Sequence, residues 1–349
     1  MEDHKKRKAV AIWLIAGVAM IIIQTLLGGI TRLTGSGLSI TDWKPILGAI
    51  PPLNEQEWNH AFAGYKQIGQ YKMLNSHFTL SDFKFIFFWE WFHRLWARLL
   101  GVVFIIGFIV FYKKQYFDKA MIKPFIILFV LGAAQGLIGW IMVKSGLNAD
   151  NLYVNPIKLS VHFISAMVLA CYTLWFALKL LIADNQRVAD TYGATFTIAI
   201  LMLLFFQLVY GAFMAGAKAA LAAPTWPTIN GAWLPRQLSE ESWIHNTINI
   251  HFIHRNTAYL LLVLLILWGW SLLKKYRISH NTLLRKCVVT SMLLVLLQVG
   301  LGIFSVLNSA HITLGQFGTY ELFAELHQMV AMLLLMSLLV NLYLLQKTN

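Results

Sequence analysis

Charge is what this sequence has least of. Only 12% of its 349 residues are Asp, Glu, Lys or Arg, about half the roughly 25% of an ordinary soluble domain. So few charges could hardly cover the surface of a water-soluble enzyme, and the mean hydropathy of +0.64 excludes that class. Cysteine is nearly absent as well. Cys171 and Cys287 lie in or beside separate apolar stretches, and no CxxC occurs, so neither a disulfide framework nor a thiolate metal site is expected. No HExxH occurs, which removes the usual signature of a helical zinc site. Acidic residues number 15 against 28 basic ones, a net charge of +13. Most of the basic residues flank apolar stretches and read as topology signals, so no nucleic-acid partner is expected.

What the sequence does have is long apolar runs. They far exceed the ~10 residues of a barrel strand and match the ~20 of a helical bilayer crossing. Eight qualify, at roughly 9–31, 85–112, 124–143, 157–178, 193–215, 249–273, 287–306 and 321–345. The expected fold class is therefore an all-α integral membrane protein. Lys5-Lys6-Arg7-Lys8 leads straight into the first run, which is too long for a signal-peptide core and is expected to stay as a span.

Basic residues alternate by connection. One side holds 16: four before span one, four between spans two and three, two between four and five, five between six and seven, and Lys347. The other side holds nine, five of them in residues 32–84. The richer side should be cytoplasmic, which puts both termini inside and the connections 32–84 and 216–248 outside. Both outer connections are rich in aromatics and prolines: Trp43, Pro45, Pro51 and Pro52, then Trp58, Phe62 and Tyr65 at helical spacing in the first, and Trp226, Trp233 and Trp243 in the second. They read either as headgroup-level aromatics or as folded caps.

The chain also repeats itself. Gln24 and Gln207 are offset by 183 residues, as are Trp43 and Trp226. Glu90-Trp91-Phe92-His93-Arg94 corresponds to His251-Phe252-Ile253-His254-Arg255. Gln135 and Gly139 correspond to Gln298 and Gly302, and His162 to His327. An even number of spans per copy gives both copies the same orientation. The expected architecture is two tandem pseudo-symmetric four-helix bundles, residues 1–184 and 185–349.

Five histidines fall within spans: His93, His162, His251, His254 and His327. Ionisable groups inside a membrane are costly and tend to be functional. His93, His162, His254 and His327 share a similar depth in the outer half, one pair per repeat. Paired imidazoles across a four-helix bundle can hold haem iron from both sides. Arg94, Arg98 and Arg255 could meet haem propionates, could snorkel, or Arg94 could pair with Glu90 four residues earlier. Glu90 lies one turn before His93 and has His251 as its counterpart. It suits proton transfer, unless it serves only a structural pair with Arg94. Glu325 is two residues before His327 and should turn to the far side of its helix.

At this point the residues resemble a family. Gly28-Gly29-Ile30-Thr31-Arg32-Leu33-Thr34, Ser36 to Ser39, Asp42-Trp43, Pro45, Gly48 to Asn54, the Glu-x-x-His-Arg of Glu90 to Arg94, and His254-Arg255 are together similar to the haem A synthases. The long first outer connection is similar to the branch shared by proteobacteria and mitochondria. The resemblance implies oxidation of a methyl group of haem O to the formyl group of haem A, by two hydroxylations and loss of water. It implies a substrate haem held by His93 and His162, with Glu90 catalytic, and a haem b cofactor held by His254 and His327. It gives His251 no role. The partners implied are haem O, an electron acceptor and, from pathway logic, the farnesyltransferase that makes haem O; a homo-oligomer is compatible with all of this. The implied location is a bacterial inner membrane. The alternative is a bis-histidine di-haem electron carrier, which leaves the one-sided Glu90 and the elaborate outer connections without a purpose.

Overall fold

The computed structural model describes residues 2–42, 44, 47–239, 241–277, 281–311 and 317–346. Among these run eight long helices and, in the first connection, two short ones. In chain order they are α1 (Glu2–Leu33), α2 (Glu55–Tyr65), α3 (Gly69–Met73), α4 (Leu80–Lys113), α5 (Lys119–Lys144), α6 (Pro156–Leu181), α7 (Thr191–Gly216), α8 (Thr247–Lys275), α9 (Thr282–Asn308) and α10 (Thr319–Leu345). All but α2 and α3 are long and apolar enough to cross a membrane. The fold is all-α, and the chain is a multi-pass membrane protein.

Each expected span lies inside one of these helices, and each helix overruns its apolar run. The reason is capping. Thr79 opens α4 with a capping box to Asp82, and Asn155 caps α6 ahead of Pro156. Asp118, Asp190, Asn246 and Asn281 cap α5, α7, α8 and α9. A side-chain oxygen that satisfies the orphan N–H groups of the first turn sets the helix start, wherever the apolar run begins.

Helix pairings recur along the chain. In the first half α1 packs on α4 and α6, and α5 on α6. In the second, α7 packs on α8 and α10, and α9 on α8 and α10. The halves meet through α1 on α10, α6 on α7, and α6 on α10. At that seam Gln328 donates to the Thr25 carbonyl at 3.0 Å, and Arg32 donates to the Ala215 carbonyl. Lys218 stacks over the Tyr153 ring at 3.7 Å. Burial, with the Arg32 charge nearby, pushes the Lys218 ammonium down to about 8.

The apolar core is lopsided along the helix axes. Val10, Leu14 and Val18 of α1 join the last turns of α6, α8 and α10, through Phe176, Trp268 and Leu335, and the first turns of α5, α7 and α9, through Phe125, Ile200 and Val288. All of these lie toward the end that carries the N-terminus. The opposite end, under the two long connections, is where the four paired histidines sit.

The first connection is a folded cap. Phe62 and Tyr65 of α2 are buried with Leu38, Phe83 and Ile86, and Trp58 meets Phe87 edge-on at 5.0 Å. Burial raises the Tyr65 hydroxyl to about 12; it donates to Gln70 and accepts from Asn75. The Gly69 N–H donates to the Asn148 carbonyl at 2.8 Å and ties the cap to the α5–α6 connection. In the second connection Trp226, Trp233 and Trp243 are exposed, as headgroup-level aromatics would be. Trp43, Pro45 and Lys347 lie outside the described residues.

Candidate functional site

Four helices each carry one of the paired histidines: His93 on α4, His162 on α6, His254 on α8 and His327 on α10. Each ring meets a glutamine one span earlier in the fold. Gln24 Nε2 lies 3.1 Å from His93 Nδ1 and Gln135 Nε2 3.2 Å from His162 Nδ1. Gln207 Nε2 lies 3.1 Å from His254 Nδ1 and Gln298 Nε2 3.2 Å from His327 Nε2. One turn beyond each glutamine, on the same helix face, stands a glycine: Gly28, Gly139, Gly211 and Gly302. A Cβ there would come within 3.0, 2.8, 3.3 and 2.9 Å of the respective imidazole Cε1. The absence of a side chain lets each ring bring its Cε1 edge close to the neighbouring helix backbone, while the glutamine contacts its nitrogens. Gly211 is a site residue that the sequence reading did not single out. Its signal is the Gln-x-x-x-Gly spacing, which occurs once opposite every paired histidine.

In the second half the two histidines face each other. The His254 and His327 rings stand 6.2 Å apart at 72°. Two imidazole nitrogens each about 2 Å from a shared metal would bring ring centres to about this separation. His327 Nδ1 lies 2.9 Å from the Gln298 carbonyl; as the donor there, it leaves Nε2 with the lone pair, which the Gln298 amide approaches and which a metal would take in its place. His93 lies close enough to His162 for their charges to interact. Among the described residues no group of three or more His, Cys, Asp or Glu gathers, so the donors suit a metal whose other ligands come from a macrocycle better than a zinc ion. The side-chain oxygens of Gln24, Gln207 and Gln298 are buried without a partner, whereas that of Gln135 accepts from Ser165. Buried polar atoms rarely stay unpaired, and these belong to the glutamines that touch His93, His254 and His327. The residues present fit the group.

Glu90 is 2% exposed. Its carboxylate accepts from Ser39 Oγ at 2.7 Å, from the Ile40 N–H at 2.8 Å, and from Arg94 Nη2 at 2.5 Å. The first connection is thereby pinned to α4 one turn from His93. Arg94 also reaches the Ile40 carbonyl, and Arg98 donates to the Lys44 carbonyl. Arg255 does the same in the second half, with donors on the carbonyls of Ala223, Thr225 and Thr228. All three arginines bind backbone of the two long connections, and Arg94 pairs with Glu90. Glu325 turns away from His327, as its spacing requires, and lies against Gly29 of α1. His251 is fully buried, and neither ring nitrogen has a partner.

Residues 11–339 match the family model described as cytochrome oxidase assembly protein. A "Heme A synthase" of Flavobacterium johnsoniae is 37% identical over 98% of this chain and 99% of its own length. One of Parvibaculum lavamentivorans is 42% identical over 75% of this chain and 77% of its own. One of Rhodopseudomonas palustris is 38% identical over 94% and 86%. With the four-histidine geometry and these matches spanning nearly its whole length, the chain belongs to the haem A synthase family of cytochrome oxidase assembly proteins.

Proposed function

We propose that this chain is a haem A synthase, oxidising a methyl group of haem O to the formyl group of haem A. The observation that carries the reading is four histidines within spans, two in each half and each braced by glutamine and glycine, with a buried carboxylate one turn from only one of the pairs. The proposed architecture is two tandem pseudo-symmetric four-helix bundles, 1–184 and 185–349. The like pairings of α1, α4, α5 and α6 and of α7, α8, α9 and α10 support it.

His93 and His162 would hold the substrate haem, and His254 and His327 a haem b cofactor. Haem b, when bound, supplies one-electron transfer. The methyl carbon of haem O would be hydroxylated twice, each time taking its oxygen from water and giving up two protons and, to a separate acceptor, two electrons; the resulting diol then loses water to leave the aldehyde. Glu90 is held rigidly by three donors, so its charge is fixed in place before reaction. A carboxylate so preorganised stabilises positive charge developing beside the methyl carbon, or accepts a proton from it. The Ser39–Ile40 contact makes the outer cap part of this arrangement and would help to shield the reacting edge from bulk solvent. Arg94, Arg98 and Arg255 hold the two outer connections over the sites, and at Arg255 a direct contact to a propionate would use the Nε–H that has no partner on the protein.

The proposed setting is the bacterial inner membrane, both termini cytoplasmic, the electrons passing to a separate acceptor. Haem O synthase is the proposed supplier of substrate, and the chain could act as a homo-oligomer. The di-haem carrier is not favoured, since the relatives above all carry the name heme A synthase. Haem extraction from cells that make haem O, with and without this chain, tests the reading. Haem A should appear only with the chain, and haem O alone in both samples would refute it.

A further inference from the structure

His251 is the residue that the proposed function leaves unused. It precedes His254 by three residues, one turn toward the outer end of α8, on the same helix face. It is 0% exposed, and both ring nitrogens lack partners. One helical turn separates it from His254, so it stands beside the iron-ligand pair on that face of α8. A neutral imidazole carries one N–H donor, and leaving it unpaired in a buried site costs about 1–3 kcal/mol.

Arg255 adds a second unpaired donor. It is 8% exposed, its two terminal nitrogens are committed to outer-connection carbonyls, and its Nε–H has no partner. His251 and Arg255 are four residues apart and therefore share a face. Two buried donors side by side, with no acceptor on the protein, define a site for an anion with two acceptor oxygens, a carboxylate above all. In the first half the corresponding arginine is already taken: Arg94 is ion-paired with Glu90.

We infer that His251 and the Nε–H of Arg255 together bind a carboxylate of the haem resident in the second half, and so act as its retaining clamp. The inference rests on the reading that His254 and His327 ligate a haem b. Haem carries two propionates, and its edge lies within reach of a residue one turn from an axial ligand. The first half has Glu90 where the second has His251, so it offers no such clamp and would leave a substrate free to exchange. A cofactor must stay through many turnovers, whereas a substrate must leave as product.

The test uses the purified holoprotein, His251→Leu and His251→Gln, with excess apomyoglobin as haem scavenger. His251→Leu should lose its haem b about tenfold faster or more, the factor expected for one lost hydrogen bond to a charged group. Its midpoint potential should fall, because an unshielded carboxylate favours ferric iron. His251→Gln, which keeps an N–H donor, should restore most of the retention and the potential. Unchanged loss rate and potential in His251→Leu would overturn the inference, as would equal leakage from His251→Gln. Haem b content that survives both His254→Ala and His327→Ala would instead overturn the underlying reading.

Discussion

Glu90 and His251 stand at the same place in their respective halves, three residues before a histidine followed by arginine, and the protein treats them oppositely. Both are buried. Glu90 receives three donors, from Ser39, Ile40 and Arg94, whereas His251 receives none. A shared packing role would not need one position filled by a bonded carboxylate and the other by an unbonded imidazole. The difference is what the proposed division of labour between the halves rests on.

Glu90→Gln removes the charge and keeps the shape; its amide oxygen can still accept from Ser39 and Ile40, while its NH2 cannot accept from Arg94. The variant should insert in the membrane and retain haem b. Its haem A production should fall by about 10²-fold or more, the usual scale for a lost proton-transfer or charge-stabilising group, roughly 2.7 kcal/mol. Chromatography of extracted haems should show haem O or a hydroxylated intermediate accumulating. Near-normal haem A would reduce Glu90 to a tie between α4 and the outer cap.

The glycines opposite the histidines give an ordered series. A Cβ at Gly302 would lie 2.9 Å from the His327 ring, and one at Gly211 would lie 3.3 Å from the His254 ring. Gly302→Ala should therefore displace its ligand more than Gly211→Ala does. Overpacking of this kind costs about 1–3 kcal/mol. Haem b absorbance per protein should decline in that order, and the reverse order would contradict the geometry.

At the other end of the bundle Asp190 caps α7, accepting from the Gly193 N–H at 3.0 Å and the Tyr276 hydroxyl at 2.8 Å, and it pairs with Lys275 at 2.9 Å. Burial opposes its charge, but these donors outweigh it and hold the carboxyl below its ordinary value. A depressed carboxylate stabilises the fold above its unfolded pKa of about 3.9. That contribution is lost as pH falls through the lowered folded value. Asp190→Asn should cost about 1–2 kcal/mol at pH 7, and the deficit should shrink toward pH 3. Thermal unfolding in detergent at the two pH values measures it.

Topology can be read by labelling. Single cysteines introduced near residues 60 and 230 should react with an impermeant maleimide added outside the cell membrane. Labelling only from the cytoplasmic face would invert the arrangement and put every paired histidine in the inner leaflet.

The eight crossings and the four paired histidines were legible because each is a one-dimensional signal: an apolar run of fixed length, or an ionisable residue inside one. Helix α2 was legible from the spacing of Trp58, Phe62 and Tyr65, while the five-residue α3 carries too little periodicity to stand out. Gly211 was hidden because glycine is frequent in membrane helices, and its role appears only against the His254 ring. The partner of Arg94 stayed open because a snorkelling, propionate-bound or Glu90-paired arginine has the same spacing. The folded Ser39–Ile40 segment decides it by bringing Glu90 and the Ile40 carbonyl to one guanidinium.

The central claim is the division of labour between the halves, and haem analysis of two single variants tests it most directly. His93→Ala and His254→Ala would be purified from cells making haem O, and each preparation examined for its low-spin haem b spectrum and its haem A. The account predicts that His93→Ala keeps most of its haem b yet makes no haem A, and that His254→Ala loses haem b. Equal loss of haem b from both would contradict it.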